Sequence, residues 1–433
     1  MTRNKTTGGN YIGEASDDGI DRRGFLRCMA WAGTATVWGL SGGVPKSFAL
    51  SRLPFMTEAE KKSLFFAQIS DSHIGFAKDA NKDVTATLQL AVDKLNALPQ
   101  SPALVLHTGD ITQLAKPTEF DTAAQLLKGV KAERIFYVPG EHDVAGDNGA
   151  SYLARYGKGT KGGGWHSFDH SGVHFIGLVN VLDLKAGGFG SLGADQLAWL
   201  KRDVSGLSSS TPIVVFAHVP LWTVYPAWGW GTDDSEQALA LLKRFGSVTV
   251  LNGHIHQIMQ KVEGNVAFHT AMSTAFPQPA PGTAPAPGPM IVQPERLKSV
   301  LGITDVTFIP GRSQLAVVDA TLSGEPPAFE AATHEAMLRK QTTRKAIVLG
   351  PNDIGIDNFR FAPSPLVVTK GATVTWVNND DVPHLIVSKQ GKFSSPILDS
   401  DQRFSTTLSK PGTYPYYCSL HPKMQGEVVV RAD

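Results

Sequence analysis

The sequence is poor in cysteine, in net charge and in long apolar segments. Its 433 residues include two cysteines, Cys28 and Cys418, and its formal net charge is +1. A charge balance this close to zero gives no electrostatic reason to expect a nucleic acid or an anionic membrane as the main partner. No segment is long and apolar enough to be a good membrane span. A chain of this length is instead expected to fold into two or more globular domains.

The first fifty residues are predicted to be an export signal. Arg22-Arg23 precede a Phe-Leu pair, a Gly-rich and mildly apolar stretch follows, and small residues favour cleavage after Ala49. Features in this order resemble a twin-arginine signal peptide, so residues 1–49 are expected to be removed and the mature chain to be periplasmic or otherwise exported. The mature chain then keeps one thiol, Cys418, and metal ligation is one reason for an exported protein to have a lone thiol.

Five short apolar runs each end in residues that can bind metal ions. The runs are β-branched or aromatic and apolar on both faces, which is typical of strands in a sheet covered on both sides. Amphipathic stretches at 83–98, 192–207 and 235–245 lie between them, so the pattern predicts an α/β domain. Binding sites in such sheets form at the carboxyl ends of the strands. The candidate residues at these ends are Asp71 and His73, Asp110, Glu141 and His142, His218, and His254 and His256.

Carboxylate and imidazole ligands together suit Mn, Fe or Zn better than Ca. The series of motifs resembles that of the calcineurin-like metallophosphoesterases over residues 62–325. The resemblance implies a four-layer sandwich of two sheets flanked by helices, with two metal ions and hydrolysis of a small phosphomonoester or phosphodiester by a metal-bridged hydroxide. It implies one ion held by Asp71, His73, Asp110 and His256, a second held by Asp110 (bridging), Glu141, His218 and His254, and His142 as the general acid or transition-state stabiliser.

Glu141 departs from the family motif, which usually has asparagine at this position. Glutamate is one methylene longer and adds a negative charge, so as a ligand it would favour a higher metal charge. It could equally block the open position or displace the second ion. The sequence leaves both readings open.

Two loops and six histidines lie outside these motifs. The aromatic residues of the loop 221–234 are either surface packing or a Gly-hinged lid beside the metals. The proline-rich stretch 276–289 is interpreted as a long loop inside the first domain. Six histidines without the strand-end context are predicted to be structural, although His269 could line the pocket: His107, His166, His170, His174, His269 and His334.

The spacing of apolar residues changes after a predicted linker at 326–344, and no further helical pattern follows. Residues 345–433 contain short β-type runs separated by turns, which predicts a small β-sandwich. Two histidines, a cysteine thiolate and a weak axial methionine form blue-copper sites. The chain resembles the amicyanin and pseudoazurin type of cupredoxin here, which implies an all-β Greek-key sandwich that binds one copper ion through His384, Cys418, His421 and Met424.

Together these features predict an exported dinuclear phosphoesterase with a type 1 copper electron-transfer domain. Its partners would be a small phosphate ester and, at the copper domain, a redox protein that docks where His421 approaches solvent. In the other reading the copper domain passes electrons to or from the dinuclear site and sets its oxidation state if iron is present. The alternative is a non-hydrolytic periplasmic redox or copper-binding protein whose phosphoesterase domain has drifted, with Glu141 as the sign of lost chemistry.

Overall fold

The computed structural model describes residues 36–41, 44–49, 63–309, 315–324 and 349–432. Most of the predicted leader, the whole predicted linker and His334 lie outside the described residues. Near the N-terminus, β1 (Thr36–Ser41) and β2 (Val44–Ala49) pair as antiparallel strands. None of the helices in the described part of the chain combines the length and the hydropathy that a bilayer crossing requires.

Two sheets form the frame of the first domain. One has five strands in the order β13-β12-β3-β4-β5, and the other has six in the order β10-β11-β9-β8-β7-β6. The strands are β3 (Leu64–Ile69), β4 (Leu104–His107), β5 (Arg134–Tyr137), β6 (His166–His170), β7 (Val173–Gly177), β8 (Ile213–Ala217), β9 (Val248–Asn252), β10 (Gln260–Glu263), β11 (Val266–Thr270), β12 (Gly302–Phe308) and β13 (Ala316–Thr321).

Helices cover the outer faces of both sheets. Because side chains alternate along a strand, Phe66 of β3 packs between the two sheets while Ala67 packs against the helices. In β8, Phe216 likewise packs between the two sheets, while Val215 packs against the helices. This alternation explains why the strands are apolar on both faces, and it produces four layers. The helices are α1 (Val84–Asn96), α2 (Pro117–Leu127), α3 (Ala150–Tyr156), α4 (Ala194–Ser205), α5 (Ser235–Leu242) and α6 (Pro294–Leu297), with a 3-10 turn at Pro226–Trp228.

The second domain is a sandwich of two four-stranded sheets around a single apolar core. Trp376 and Tyr416 lie fully buried at its centre. The sheet orders are β15-β14-β17-β19 and β16-β21-β20-β18. The predicted α/β sandwich followed by an all-β sandwich is therefore confirmed. The strands are β14 (Asp353–Asp357), β15 (Arg360–Ala362), β16 (Leu366–Thr369), β17 (Ala372–Asn378), β18 (Ile386–Ser388), β19 (Arg403–Leu408), β20 (Gly412–Cys418) and β21 (Gln425–Arg431).

The sheet topology places every predicted ligand of the first domain at one edge. Strands β3, β4 and β5 are parallel neighbours, and so are β8 and β9. The ligand residues follow the carboxyl ends of these five strands. Residues far apart in the sequence therefore meet where the two sheets end on the same side.

Two candidate metal centres

Asp71, His73 and His256 form the first half of a metal-ligand cluster. The Nε2 atoms of His73 and His256 are 3.2 Å apart, and His256 Nε2 is 3.2 Å from Asp71 Oδ1. All three side chains are buried. Burial opposes the ionisation of Asp71, but His256, His218 and His73 outweigh it and hold the pKa of that carboxyl well below its usual range. A buried carboxylate between imidazoles is a suitable place for a cation.

Glu141, His218 and His254 form the second half. His218 Nε2 is 2.9 Å from Glu141 Oε2, and His254 Nδ1 is 3.0 Å from Glu141 Oε1. These three buried atoms, Glu141 Oε2, His218 Nε2 and His254 Nδ1, nevertheless lack a partner with hydrogen-bond geometry. Since buried polar atoms are normally satisfied, donor atoms that converge without hydrogen bonds fit a metal ion at their common centre.

Asp110 connects the two halves. Its Oδ2 atom lies 3.5 Å from His73 Nε2 on one side and 3.4 Å from His218 Nε2 on the other. One carboxylate oxygen between two histidines from different halves is the arrangement that a bridging ligand requires. The structure thus brings all seven predicted ligands together around Asp110.

Hydrogen bonds to the chain fix the orientation of the imidazole rings. His256 Nδ1 donates to the Phe276 carbonyl at 2.6 Å, and His218 Nδ1 donates to the Thr108 carbonyl at 2.7 Å. His73 Nδ1 is 2.9 Å from Gln113 Oε1. In each ring the Nε2 atom is left for a metal, as in other metal sites where the second ring nitrogen donates to an acceptor. Sequence reasoning missed the carbonyls of Phe276 and Thr108, because a backbone carbonyl leaves no signal in the residue type.

Five of the seven candidate ligands have backbone φ angles in the strained left-handed region. Asp71, Asp110 and His254 have φ values of 53°, 49° and 71°, in the left-handed region that side chains rarely adopt. His73 and His256 share this property. Gly140 allows the close approach of neighbouring chain, since a Cβ atom there would lie 2.0 Å from Asp110 Oδ1.

His142 and Asp143 stand beside the bridging carboxylate. His142 Nδ1 donates to the Gln113 carbonyl at 2.8 Å, and its Nε2 is 4.0 Å from Asp110 Oδ2. Burial alone would lower the pKa of His142, but Asp110 and Glu141 outweigh it, so the pKa is raised. Asp143 was not predicted. Its carboxylate accepts from the backbone N–H groups of Ile111, Thr112 and Gly140, and so ties the loop after β4 to the loop after β5.

The second domain holds a separate set of three converging ligand atoms. Cys418 Sγ lies 3.5 Å from His384 Nδ1 and 3.6 Å from His421 Nδ1, and the two nitrogens are 3.2 Å apart. His384 Nε2 is 2.9 Å from Asp380 Oδ2, which leaves Nδ1 for the metal. Met424 is buried close by, and its carbonyl accepts from the Cys418 N–H at 3.1 Å. A thiolate, two imidazoles and a methionine are the ligands of a blue-copper ion.

The copper-ligand loop, residues 420–424, also contacts the first domain. The Gly187 N–H donates to the Pro422 carbonyl, and Lys423 Nζ donates to the Gly187 carbonyl at 2.7 Å. Lys423 Nζ lies 3.7 Å from the centre of the Phe189 ring. The docking of the two domains therefore uses residues that directly follow His421.

A cavity of about 400 Å³ connects the two ligand sets. Glu141 and His254 line it from the first domain, and His421 and Met424 line it from the second. His421, which was expected to approach solvent, is partly exposed, and its ring lines this cavity between the domains. The proline-rich loop supplies another wall through Pro285 and Pro287.

Residues of the aromatic loop divide between the wall of the cavity and the core. Tyr225 and Trp228 line the cavity, whereas Trp230 is 1% exposed and packs edge-on against Trp228. Trp222 packs against Phe268, away from the cavity.

The histidines predicted to be structural have protein partners where the structure describes them. His107 pairs with Ser72, and His174 pairs with Asp169 and Asp203. His269 pairs with Asp319 at 3.0 Å and does not line this cavity.

Comparisons with known proteins agree with this division of the chain. Residues 66–258 match the family model of calcineurin-like phosphoesterases, and residues 350–431 match that of copper binding proteins of the plastocyanin/azurin family. These segments lie within the predicted domains 62–325 and 345–433.

Three curated proteins are each similar to part of the chain. Amicyanin-alpha from Methylorubrum extorquens is 35% identical over 86 residues, which cover 19% of this chain and 72% of that protein. Amicyanin from Paracoccus versutus is 32% identical over 82 residues, and the chain spans 62% of its length and 18% of its own. Glycerophosphodiester phosphodiesterase GpdQ from Enterobacter lignolyticus is 27% identical over 228 residues, which cover 50% of this chain and 79% of that enzyme.

Proposed function

Because the chain belongs to the plastocyanin/azurin family of copper-binding proteins through its second domain and carries a calcineurin-like phosphoesterase domain as its first, we propose that it is an exported hydrolase of small phosphate esters with an attached type 1 copper site. The observation that carries the hydrolytic half is the convergence of three unsatisfied buried atoms, on Glu141, His218 and His254, next to a second cluster that shares Asp110.

The ligands fit two ions of Fe, Mn or Zn. Asp71, His73 and His256 would hold one ion, Glu141, His218 and His254 the other, and Asp110 would contact both. Two ions so close together would bind phosphoryl oxygens and activate water. Glu141 acts as a ligand in this proposal, because its two carboxylate oxygens lie 2.9 Å from His218 Nε2 and 3.0 Å from His254 Nδ1.

His142 is assigned the general acid. Its ring is held at Nδ1 by the Gln113 carbonyl, so that Nε2 carries the transferable proton on the side of Asp110. Burial lowers the pKa of His142, but Asp110 and Glu141 raise it above its ordinary value, which favours the protonated state that can protonate a departing alcohol.

The second domain is proposed to bind one copper ion at His384, Cys418, His421 and Met424 and to exchange electrons. Residues 1–49 are proposed to direct twin-arginine export, with residues 326–344 as the linker between the domains. Replacing Arg22-Arg23 by Lys-Lys should keep the protein in the cytoplasm with its leader uncleaved, which an immunoblot of cell fractions would show.

One assay tests the hydrolytic proposal. The purified mature chain, loaded with Mn, Fe or Zn, is offered p-nitrophenyl phosphate, bis(p-nitrophenyl) phosphate, a glycerophosphodiester and a cyclic nucleotide. Phosphodiester turnover is expected first, in line with the name of the relative from Enterobacter lignolyticus. The absence of turnover on all four would favour a redox or copper-binding protein without hydrolysis. The copper half is tested by the visible spectrum, where Cys418→Ser should abolish the thiolate-to-copper band.

A further inference from the structure

The cavity between the domains is lined by ligands of both metal centres. Glu141 and His254 stand at the first-domain side, and His421 stands at the second-domain side. Both sets of ligands line the same cavity of about 400 Å³, so an anion bound at the first centre would lie within the electrostatic reach of the copper ligands.

We propose that this cavity is one composite binding site for small phosphate-bearing ligands, in which anion binding at the dinuclear centre is thermodynamically linked to the oxidation state of the copper. The proposal depends on the proposed function in one respect, which is that the first centre binds phosphate. It does not require that the chain hydrolyses any ester.

The direction of the linkage follows from charge. Oxidation from Cu(I) to Cu(II) removes one electron and adds one positive charge at the site formed by His384, Cys418 and His421. A phosphate anion in the shared cavity is attracted by that charge, so it binds more tightly to the oxidised protein. Across a partly solvated cavity of this size we expect about a three- to tenfold difference in affinity. Linkage is reciprocal, so the bound anion must favour Cu(II) by the same factor.

The walls of the cavity indicate which phosphate compounds fit. Tyr225, Trp228 and Phe359 supply aromatic surface, and Phe359 lies edge-on to His421 with ring centres 4.7 Å apart. A volume of about 400 Å³ suits a small molecule and excludes a polymer. The ligand class is therefore a small phosphate or phosphonate that carries a ring, with the ring held between Trp228 and the second domain.

The experiment measures the reduction potential of the copper in the full, metal-loaded chain by following its visible band during redox titration. Saturating inorganic phosphate should lower the potential by about 30–60 mV, which corresponds to the three- to tenfold ratio for a one-electron couple. Chloride at equal ionic strength should not. The shift should vanish in protein whose first centre has been emptied with a chelator and whose copper has been retained.

Two phosphonates, which resist hydrolysis, test the ring preference. Phenylphosphonate should shift the potential at lower concentrations than methylphosphonate. Trp228→Leu should weaken phenylphosphonate binding about three- to tenfold and leave methylphosphonate unchanged. Trp222→Leu is the matched control, since Trp222 packs against Phe268 outside the cavity and should change neither ligand.

The outcomes separate this inference from the proposed function. A copper potential that no phosphate concentration changes overturns the linkage, whether or not the chain hydrolyses esters. Equal effects of Trp228→Leu and Trp222→Leu overturn the placement of the ring. A potential shift in a chain that turns over no ester would support the composite site and count against hydrolysis alone.

Discussion

In the proposed function Glu141 determines how many ions the first centre holds, and Glu141→Gln tests this role with little change in the shape of the side chain. The carboxylate of Glu141 lies 2.9 Å from His218 Nε2 and 3.0 Å from His254 Nδ1. Burial opposes its ionisation, but His254 and His218 outweigh burial and hold its pKa well below the usual range. The native side chain therefore contributes a full negative charge, and glutamine would remove that charge while keeping one oxygen ligand.

The size of the effect follows from Coulomb's law. Two unit charges about 3 Å apart attract by about 5 kcal/mol at an effective dielectric constant of 20. The glutamine oxygen retains part of the interaction, so we expect the second ion to lose about 3 kcal/mol of binding free energy, or about a hundredfold in affinity. The ion at Asp71, His73 and His256 should stay bound, because none of its own three side chains changes.

Metal analysis after dialysis measures the result. The ions of the first centre should fall from about two to about one per chain in Glu141→Gln, while copper stays constant as an internal standard. Glu263→Gln, an exposed glutamate on β10, is the control and should keep both ions. Two tightly held ions in Glu141→Gln would refute the assignment, and unchanged metal content and hydrolysis in Glu141→Asn would show that this residue is not a ligand.

Three further changes have defined outcomes. His142→Asn should lower kcat about 100- to 1,000-fold with unchanged metal content, because only the proton donor is lost; an unchanged kcat would exclude that role. Trp230→Ala should reduce the free energy of unfolding by about 3–5 kcal/mol in chemical denaturation, whereas Trp228→Ala should cost far less. Burial lowers the pKa of His174, but Asp203 and Asp169 raise it above the ordinary value. Its stabilising contribution is thus present below about pH 6.5 and is lost as pH rises through the raised pKa, so stability curves of His174→Asn should lack this pH-dependent component.

The ligands could be predicted from sequence because their signal is local. Asp71 and His73 follow an apolar strand, and the same pairing of strand and ligand recurs four times, so residue type and position carry the information. The left-handed backbone at Asp71, Asp110 and His254 carried no such signal. Aspartate and histidine do not usually adopt left-handed backbone angles, so the surrounding packing must determine this conformation.

The burial of individual residues in the aromatic loop could not be predicted from the sequence. Trp228 and Trp230 are two residues apart in a Gly-rich loop, and nothing in their neighbours distinguishes them. Trp230 is buried and Trp228 lines the cavity, because the 3-10 turn at Pro226–Trp228 and the following Gly229 redirect the chain between them. Gly229 has a φ of 78°, which a side chain would rarely adopt.

The docking of the domains is the feature that sequence predicts least and that matters most for the copper site. Its contacts use the Gly187 backbone and the Pro422 carbonyl, which have no side-chain signature. They also use Lys423, which lies between two copper ligands, His421 and Met424. In the proposed copper site, the loop that would have to hold its shape to bind copper is thus the loop that contacts the first domain. A metal that binds only the ordered loop would stabilise it, so copper binding and domain docking would reinforce each other through this loop. The cavity is consequently a property of the whole chain rather than of either domain.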